Sequence, residues 1–352
     1  AGLNAYLFEM ANIRDQCSWV HRREPEEATR KAKDLVRMAV AKAATLEPLP
    51  QPKIPVTPVA LVIGGGLSGM TAALDIAKSG FDVHLVEKEK QLGGHLRRIH
   101  RTLIGVDPQE TFRDLEKEVL GNPRIKVHLG DSVVEVKGYI GNFETALKGG
   151  EKVKHGAIVV ATGAVEYEPT EYLFGKNPKV IRQTDLGEMI SDKGFKADSV
   201  VVIQCVGSRD EEHPNCSRIC CSTAMANAMR IKQDHPETSV YILYRDIRTF
   251  GFREENYNEA ARLGVTFLRY DPSAPPRVRE EGGKLVVEVD ETFIEQTVTI
   301  KPDYLVLNAA VRPNPDNKEL AQLLKVPTTQ EGFFLEAHMK LRPVDFATAA
   351  IS

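Results

Sequence analysis

The 352-residue chain lacks any long apolar run and any excess of charge of one sign. No stretch approaches the roughly 18–20 uninterrupted apolar residues of a membrane-spanning helix, and the first residues show no basic-then-apolar export signal. The 46 Lys and Arg residues nearly balance 49 Asp and Glu residues, so nothing electrostatic favours a nucleic acid or an anionic membrane as partner. We therefore expect a cytoplasmic protein with no membrane span, long enough for two domains.

Cysteine is scarce, but four of the five cysteines lie within one short segment. Clustered thiols do not fit the disulfide framework of a secreted protein, and the absence of a C-x-x-C pair argues against thioredoxin-reductase-type disulfide exchange. Four thiolates are the ligand set of a [4Fe–4S] cluster, so we predict iron ligands at Cys205, Cys216, Cys220 and Cys221. Zinc, buried inert thiols and an oxidised Cys220–Cys221 pair are the alternatives that this pattern leaves open.

A glycine-rich turn gives the second chemical signal. Gly64, Gly66 and Gly69 follow a strand at 59–63 with G-x-G-x-x-G spacing, a helix is expected at 68–79, and a second strand at 82–87 ends in Glu87. These glycines permit the tight turn, the approach to a pyrophosphate and the packing of helix on strand, while the acid accepts hydrogen bonds from a ribose 2′-hydroxyl. The pattern predicts a dinucleotide site. A purely structural turn would not require the acid.

Two further segments favour FAD over a nicotinamide. Residues 91–95 (QLGGH) and 159–163 (VVATG) resemble those of flavoproteins with two dinucleotide-binding domains. After the strand expected at 199–204 no second glycine fingerprint appears, and the cysteine segment stands in its place. The predicted FAD contacts are Gly64, Gly66, Leu67, Ser68, Gly69, Glu87, Lys88, Gly93, Gly94, His95, Leu96, Val134, Ala161, Thr162 and Gly163.

Hydrophobic periodicity outlines the rest of the chain as alternating strands and helices. An amphipathic helix is expected at 24–44, and His84 and His128, both in expected strands, are interpreted as structural. We expect further strands at 125–129, 133–136, within 155–161, and at 199–204, 239–244, 265–269 and 304–309, a hairpin of 284–288 with 297–300, and helices at 217–233 and 253–263.

Taken together, several segments resemble the heterodisulfide reductase A-subunit family, the flavin-carrying iron–sulfur component of multi-subunit electron-transfer complexes. The matching segments are residues 11–21, 33–42, the glycine turn, 204–221 and 241–251. The resemblance implies an α/β fold with two Rossmann-like domains of the thioredoxin-reductase-like FAD/NAD(P)-binding type, preceded by a partial N-terminal helical segment. It also implies FAD and a [4Fe–4S] cluster as cofactors.

The resemblance also suggests a domain plan, and the chain departs from the family pattern in three places. We expect an N-terminal remnant at 1–47, a proline-rich linker at 48–57, an FAD-binding domain at 58–165, a second Rossmann-like domain with the cysteines at 166–310, and a return to the FAD-binding domain at 311–352. Cys17 is a candidate ligand of an incomplete N-terminal cluster. The ferredoxin-like insertion is absent after residue 143, and the chain looks truncated at both ends.

The function implied is electron transfer between FAD and the cluster and on to partner subunits. Those partners would be heterodisulfide reductase B- and C-like subunits and hydrogenase- or ferredoxin-type donors, and a homodimer is compatible with the family. Two alternatives remain. One is the flavoprotein subunit of a quinone-interacting membrane oxidoreductase complex of sulfate reducers, and the other is a zinc-stabilised flavin-binding scaffold.

Overall fold

The computed structural model describes residues 2–50, 53–192 and 194–352 and contains two compact units, residues 1–55 and 56–352. Residues 51 and 52 of the expected proline-rich linker lie outside the described part, and the boundary between the units follows Pro55. The domain plan within residues 56–352 remains a prediction. None of the helices formed by the described residues is long and apolar enough to cross a membrane.

The first unit is built around one helix, α1 (Pro25–Ala43), which begins and ends within one residue of the predicted range. Proline at the first helical position and two glutamates in the first turn favour the start of the helix. A π-helical turn, Arg14–Ser18, precedes it, and the buried Cys17 thiol donates a hydrogen bond to the Ala28 carbonyl at 2.8 Å. Cys17 is therefore part of the packing of this unit.

The second unit alternates strands and helices. Its helices are α2 (Leu67–Lys78), α3 (Pro108–Gly121), α4 (Gln183–Ser191), α5 (Cys220–Asp234), α6 (Arg253–Arg262) and α7 (Asn317–Leu324). Its strands are β1 (Val59–Ile63), β2 (Asp82–Glu87), β3 (Ile125–Leu129), β4 (Val133–Tyr139), β5 (Asn142–Leu147), β6 (Lys152–His155), β7 (Ala157–Val160), β8 (Ala164–Glu166), β9 (Val180–Arg182), β10 (Ser199–Val206), β11 (Ser239–Tyr244), β12 (Thr266–Arg269), β13 (Arg277–Glu281), β14 (Lys284–Glu291), β15 (Gln296–Ile300), β16 (Tyr304–Ala309) and β17 (Val311–Pro313).

Two parallel sheets form the centre of this unit. The first has the strand order β3-β2-β1-β7, and the second has the order β12-β11-β10-β16-β9. Both are covered on two faces, as parallel sheets are, so their central strands are continuous apolar runs. Helix α2 packs on one face of the first sheet, and the antiparallel sheet β4-β5-β6 contributes the core on the other. This arrangement confirms the α/β fold of Rossmann type.

The second sheet is built in the same way. Its core has α4, α5 and α6 on one face and the antiparallel sheet β13-β14-β15 on the other. The chain leaves the first sheet through β8 and returns from the second through β17, and these two short strands pair antiparallel. Both crossings between the parallel sheets therefore lie in one two-stranded ribbon.

The differences from the predicted elements have local causes. Helix α5 begins at Cys220 and not at 217, because Arg218 has φ +64°, which a right-handed helix cannot contain. The apolar run 155–161 forms only the four-residue strand β7, since His155 is the last residue of β6 and Gly156 lies between the two strands. Helix α3 was missed, although Asp107 and Pro108 are a typical N-cap and first residue and Asp107 does accept the Gln109 N–H.

His155, fully buried on β6, makes the stability of this fold depend on pH. Its Nδ1 lies 3.1 Å from the Ala157 carbonyl, which can only accept, so Nδ1 carries the proton and Nε2 accepts from the Thr145 hydroxyl at 2.8 Å. Burial lowers the pKa of His155 to about 4 from 6.5. The unfolded chain then binds more protons, so this contribution to stability is complete above pH 6.5 and is lost as the pH falls towards 4.

We therefore expect His155→Gln to flatten the pH dependence of unfolding. The wild-type free energy of unfolding should fall between about pH 7 and pH 5, with His155 contributing on the order of 3 kcal/mol over its full titration. Denaturant melts of the variant should show a smaller fall, and the partly exposed His100→Gln serves as the matched control. Equal slopes for His155→Gln and wild type would contradict this assignment.

Candidate functional site

The glycine turn joins β1 to α2 through backbone packing that leaves no room for a side chain at Gly64 or Gly69. Gly64 has φ +108°, and a Cβ there would overlap the Ala161 carbonyl. A Cβ on Gly69 would overlap the Gly64 carbonyl, so α2 packs this closely on β1 only with glycine at that position. Gly66 differs, because nothing lies within 4 Å of a Cβ built on it. This open space at the N-terminus of α2 is the cradle that a pyrophosphate requires.

Glu87 ends β2 and is held at the edge of the glycine turn. Its Oε2 accepts the Gly65 N–H at 2.6 Å, and its Oε1 accepts the Glu89 N–H at 2.8 Å. Each carboxylate oxygen has two lone pairs, so acceptor capacity remains for a ribose hydroxyl. The two backbone bonds fix the carboxylate before any ligand arrives.

A cavity of about 300 Å³ opens beside the turn. Five of the predicted contacts line it: Gly64, Glu87, Lys88, Val134 and Thr162. The remaining lining residues were not predicted: Ile63, Val86, Asp131, Ser132, Val133, Asn314, Asp316, Asn317, Glu319, Leu320 and Leu323. The charged lining residues are four carboxylates and one lysine, so the cavity suits an unphosphorylated ribose and repels a 2′-phosphate.

One wall of this cavity comes from the segment around the start of α7. Lys88 Nζ donates to Asn314 Oδ1 at 3.0 Å and pairs with Asp316 at 2.9 Å, and the Thr162 hydroxyl donates to Asn317 Oδ1 at 3.2 Å. These residues are more than 150 positions apart in sequence. The turn-forming residues 314–317 indicate the start of a helix. Nothing in the neighbouring sequence indicates that these residues line a cavity.

The other predicted contacts surround the turn without lining the cavity. Gly93 donates its N–H to the Gly65 carbonyl at 2.8 Å and has φ +109°. This hydrogen bond holds residues 91–95 beside the glycine turn. Leu96 packs in the apolar core, so only its backbone is available to a ligand. Leu67 and Ser68 are exposed at the start of α2. Gly94 and Gly163 have positive φ. His95 Nε2 lies 2.6 Å from the Ala164 carbonyl, and Ala161 packs against Gly64.

The four clustered cysteines line a second, much smaller cavity, between the end of β10 and the start of α5. Cys220 and Cys221 are the first two residues of α5. Cys205 lies in β10 with φ +62°, at a register shift between β10 and β16, and a non-glycine residue in this conformation costs about 1–3 kcal/mol. The irregular backbone directs Cys205 to the same cavity as the helix cysteines. Cys216 comes from the loop before α5 and is half-buried.

Donors and positive charges surround these sulfurs. The Arg218 N–H donates to Cys216 Sγ at 3.4 Å, and the Arg248 N–H donates to Cys221 Sγ at 3.5 Å. Arg209 Nη1 lies 3.8 Å from Cys205 Sγ, and its guanidinium is held by Asp246, with Nη2 donating to Oδ2 at 3.0 Å. Two backbone N–H groups and one guanidinium therefore contact three of the four sulfurs, and such donors stabilise negative charge on sulfur.

Burial favours the protonated thiol form of three of these cysteines, Cys205, Cys220 and Cys221. Burial raises the pKa of Cys220 to about 12 and also raises the pKa values of Cys205 and Cys221. The Arg209 guanidinium lowers the pKa of Cys205 only in part. A positively charged group that binds here would have to displace these protons, so its binding would depend on pH. Cys17 lies in the other unit and is described above.

The comparisons with known proteins agree with an FAD-binding fold. Residues 59–203 match the model of the family described as pyridine nucleotide-disulphide oxidoreductase. Thioredoxin reductases of T. acidophilum and Lactococcus lactis share the fold, with TM-scores of 0.55 over 83% of this chain and 87% and 88% of theirs, at 17% and 15% identity. The structural matches show the fold, and the family match supports FAD as the dinucleotide and an oxidoreductase class.

Similarity over the whole of this chain is found among curated proteins. The chain is 34% identical to one of the iron–sulfur A-subunits of the CoB--CoM heterodisulfide reductase of Methanopyrus kandleri, over 100% of this chain and 68% of that protein. It is 33% identical to the A-subunit of the H(2):CoB-CoM heterodisulfide,ferredoxin reductase of Methanothermobacter thermautotrophicus, with the same coverage. The first alignment has 452 positions against 352 residues here, so that relative has internal segments that this chain lacks. The chain belongs to the heterodisulfide reductase A-subunit family.

Proposed function

We propose that this chain is a flavin- and iron–sulfur-dependent electron-transfer component of a heterodisulfide reductase-like complex. FAD would occupy the glycine turn and its cavity, and a [4Fe–4S] cluster would bind Cys205, Cys216, Cys220 and Cys221. The observation that carries the proposal is the meeting of these four cysteines in one cavity at the end of β10. The bound FAD and cluster would supply the redox chemistry, while the chain supplies their positions and electrostatic surroundings.

The first site is suited to FAD through its fixed backbone. The N-terminus of α2 and the space at Gly66 would receive the pyrophosphate, and Glu87 would accept the ribose hydroxyl. Lys88 is held by Asp316 and Asn314, so it would help to keep the α7 segment over the cavity. Val134 and Leu320 provide apolar surface for an adenine ring.

The spacing of the cysteine sulfurs does not match a single tetrahedral zinc ion. In a tetrahedral zinc site with Zn–S distances near 2.3 Å, the sulfurs lie about 3.8 Å apart. Of the residues that the structure describes, no three cysteine sulfurs lie within 4.8 Å of one another. A cluster with a metal at each of four corners holds its thiolates further apart than one ion does. The N–H donors to Cys216 and Cys221 are contacts that tune iron–sulfur potentials.

The partners are inferred from the names of the relatives. Those relatives are subunits of CoB-CoM heterodisulfide reductases, and one is also named as a ferredoxin reductase. We infer that B- and C-like subunits of such a complex, and hydrogenase- or ferredoxin-type donors, exchange electrons with this chain. Arg209, Arg218 and Arg248 at the cysteine cavity would compensate the charge of the thiolates.

Gly66→Ala tests the position of the flavin. The protein leaves room for the methyl group, so unfolding stability should fall by less than about 1 kcal/mol, the effect of alanine at an N-cap. A pyrophosphate at this place would meet the methyl, and overpacking of about 1–3 kcal/mol would weaken FAD binding roughly fivefold to a hundredfold. Flavin content and FAD titration measure the effect, with Gly121→Ala as control. Unchanged FAD affinity in Gly66→Ala would place the pyrophosphate elsewhere.

Cys220→Ser tests the cluster. We expect wild-type chain purified without oxygen to contain about four iron and four sulfide per chain. The variant should lose most of both and keep its flavin, because the FAD cavity does not include Cys220. Cys17→Ser is the matched control, a buried cysteine in the other unit, and should keep the iron. Zinc in place of iron in the wild type, or full iron in Cys220→Ser, would refute the ligand assignment.

A further inference from the structure

Three side chains outside both cofactor cavities come together at the edge of the first parallel sheet. His84 lies on β2, His128 on β3, and Glu151 in the turn just before β6. Across residues 2–50, 53–192 and 194–352, they are the one group of three His, Cys, Asp or Glu side chains whose ligand atoms all lie within 4.8 Å of one another. None of the three lines the cysteine cavity or the cavity beside the glycine turn, here called the dinucleotide cavity.

Strand register explains why the two histidines meet. His84 and Val86 point to the same face of β2 because side chains alternate along a strand, and Val86 pairs with His128 across to β3. That face is covered by the antiparallel sheet, since Val86 shares a core with Leu147 of β5. Glu151 belongs to the connection between β5 and β6, so the three side chains bridge the two sheets.

The distances are close to those of a metal site. His84 Nδ1 lies 2.9 Å from His128 Nε2, and one ligand atom from each of the three side chains lies within 4.8 Å of the other two. Two imidazole nitrogens bound to one zinc ion at 2.0–2.1 Å in tetrahedral geometry lie about 3.3 Å apart. The two imidazole rings therefore need to move only slightly apart to hold an ion between them. Glu151 follows two glycines in a turn and is partly exposed, so its carboxylate can adjust.

The charges around the three side chains are compatible with a cation. Burial lowers the pKa values of His84 and His128, so both rings are neutral at pH 7, the form that binds metals. Lys126 is the competing positive charge, and its Nζ bonds Glu151 Oε1 at 2.6 Å. That bond leaves Oε2 free to face the imidazoles.

We propose that His84, His128 and Glu151 bind one divalent cation of the zinc class, with water as the fourth ligand. Two imidazoles and a carboxylate suit Zn²⁺, Co²⁺ or Ni²⁺, whereas Mg²⁺ and Ca²⁺ prefer oxygen ligands alone. The ion would cross-link the parallel sheet to the antiparallel sheet. Asp131 and Ser132, which follow β3, line the dinucleotide cavity, so the ion would also brace one of its walls. The site depends on none of the four clustered cysteines.

Cobalt titration of the full, cofactor-loaded chain without oxygen tests this site. We expect one equivalent of Co²⁺ with a visible ligand-field spectrum and no sulfur-to-cobalt charge-transfer band, because the ligands are nitrogen and oxygen. Saturation with Co²⁺ should also raise the melting temperature, since an ion that binds only the folded chain stabilises it. Uptake only with the sulfur band, or no uptake, would overturn the proposal.

Variants locate the ion. His84→Gln and His128→Gln should each lose this equivalent of Co²⁺, and Glu151→Gln, at a partly exposed turn that tolerates change, should weaken binding about tenfold or more. Lys126→Met should tighten binding, because it removes the competing charge. His100→Gln is the control and should bind as the wild type does. Wild-type Co²⁺ binding in both His84→Gln and Glu151→Gln would overturn the site, whatever the iron content of the cysteine cavity.

Discussion

The first half of the molecule depends on one constraint. The backbone of the glycine turn packs directly against the strand beside it, with no side chains between them. The Gly64 carbonyl occupies the place of a side chain on Gly69, and the Ala161 carbonyl occupies that of one on Gly64. Because α2 lies directly on β1, its N-terminus is at the carboxyl edge of the sheet. The space at Gly66 and the fixed carboxylate of Glu87 follow from that closeness.

The second parallel sheet places cysteines at the corresponding edge. The strand β10 occupies the position of β1, yet no glycine turn follows it, and the backbone instead bulges at Cys205 and delays the helix until Cys220. A dinucleotide site needs a tight turn and a helix N-terminus close to the strand. Here the longer connection, with positive φ at Cys205, Arg209 and Arg218, makes room for thiols and arginines in place of a pyrophosphate.

The features that the sequence predicted are those formed by residues close together along the chain. The glycine turn, Glu87 and the cysteine segment depend on the spacing of neighbouring residues, and the strands β1, β2, β3, β11 and β16 have the predicted bounds. The sequence did not reveal Asn314, Asp316 or Asn317, because these residues reach the cavity only after the chain has formed the second sheet and returned. The proximity of His84 to His128 was equally hidden, since it depends on strand register and on a turn of another sheet.

The ribbon of β8 and β17 carries both chain crossings between the two parallel sheets. Its strands are joined by backbone hydrogen bonds, so neither crossing can bend without the other. Beside it, Arg98 pairs with Asp185 and Glu188 at 2.6 Å each, from the far side of the joint. Displacing one Rossmann half against the other would therefore have to break the backbone hydrogen bonds of this ribbon and the ion pairs of Arg98 together.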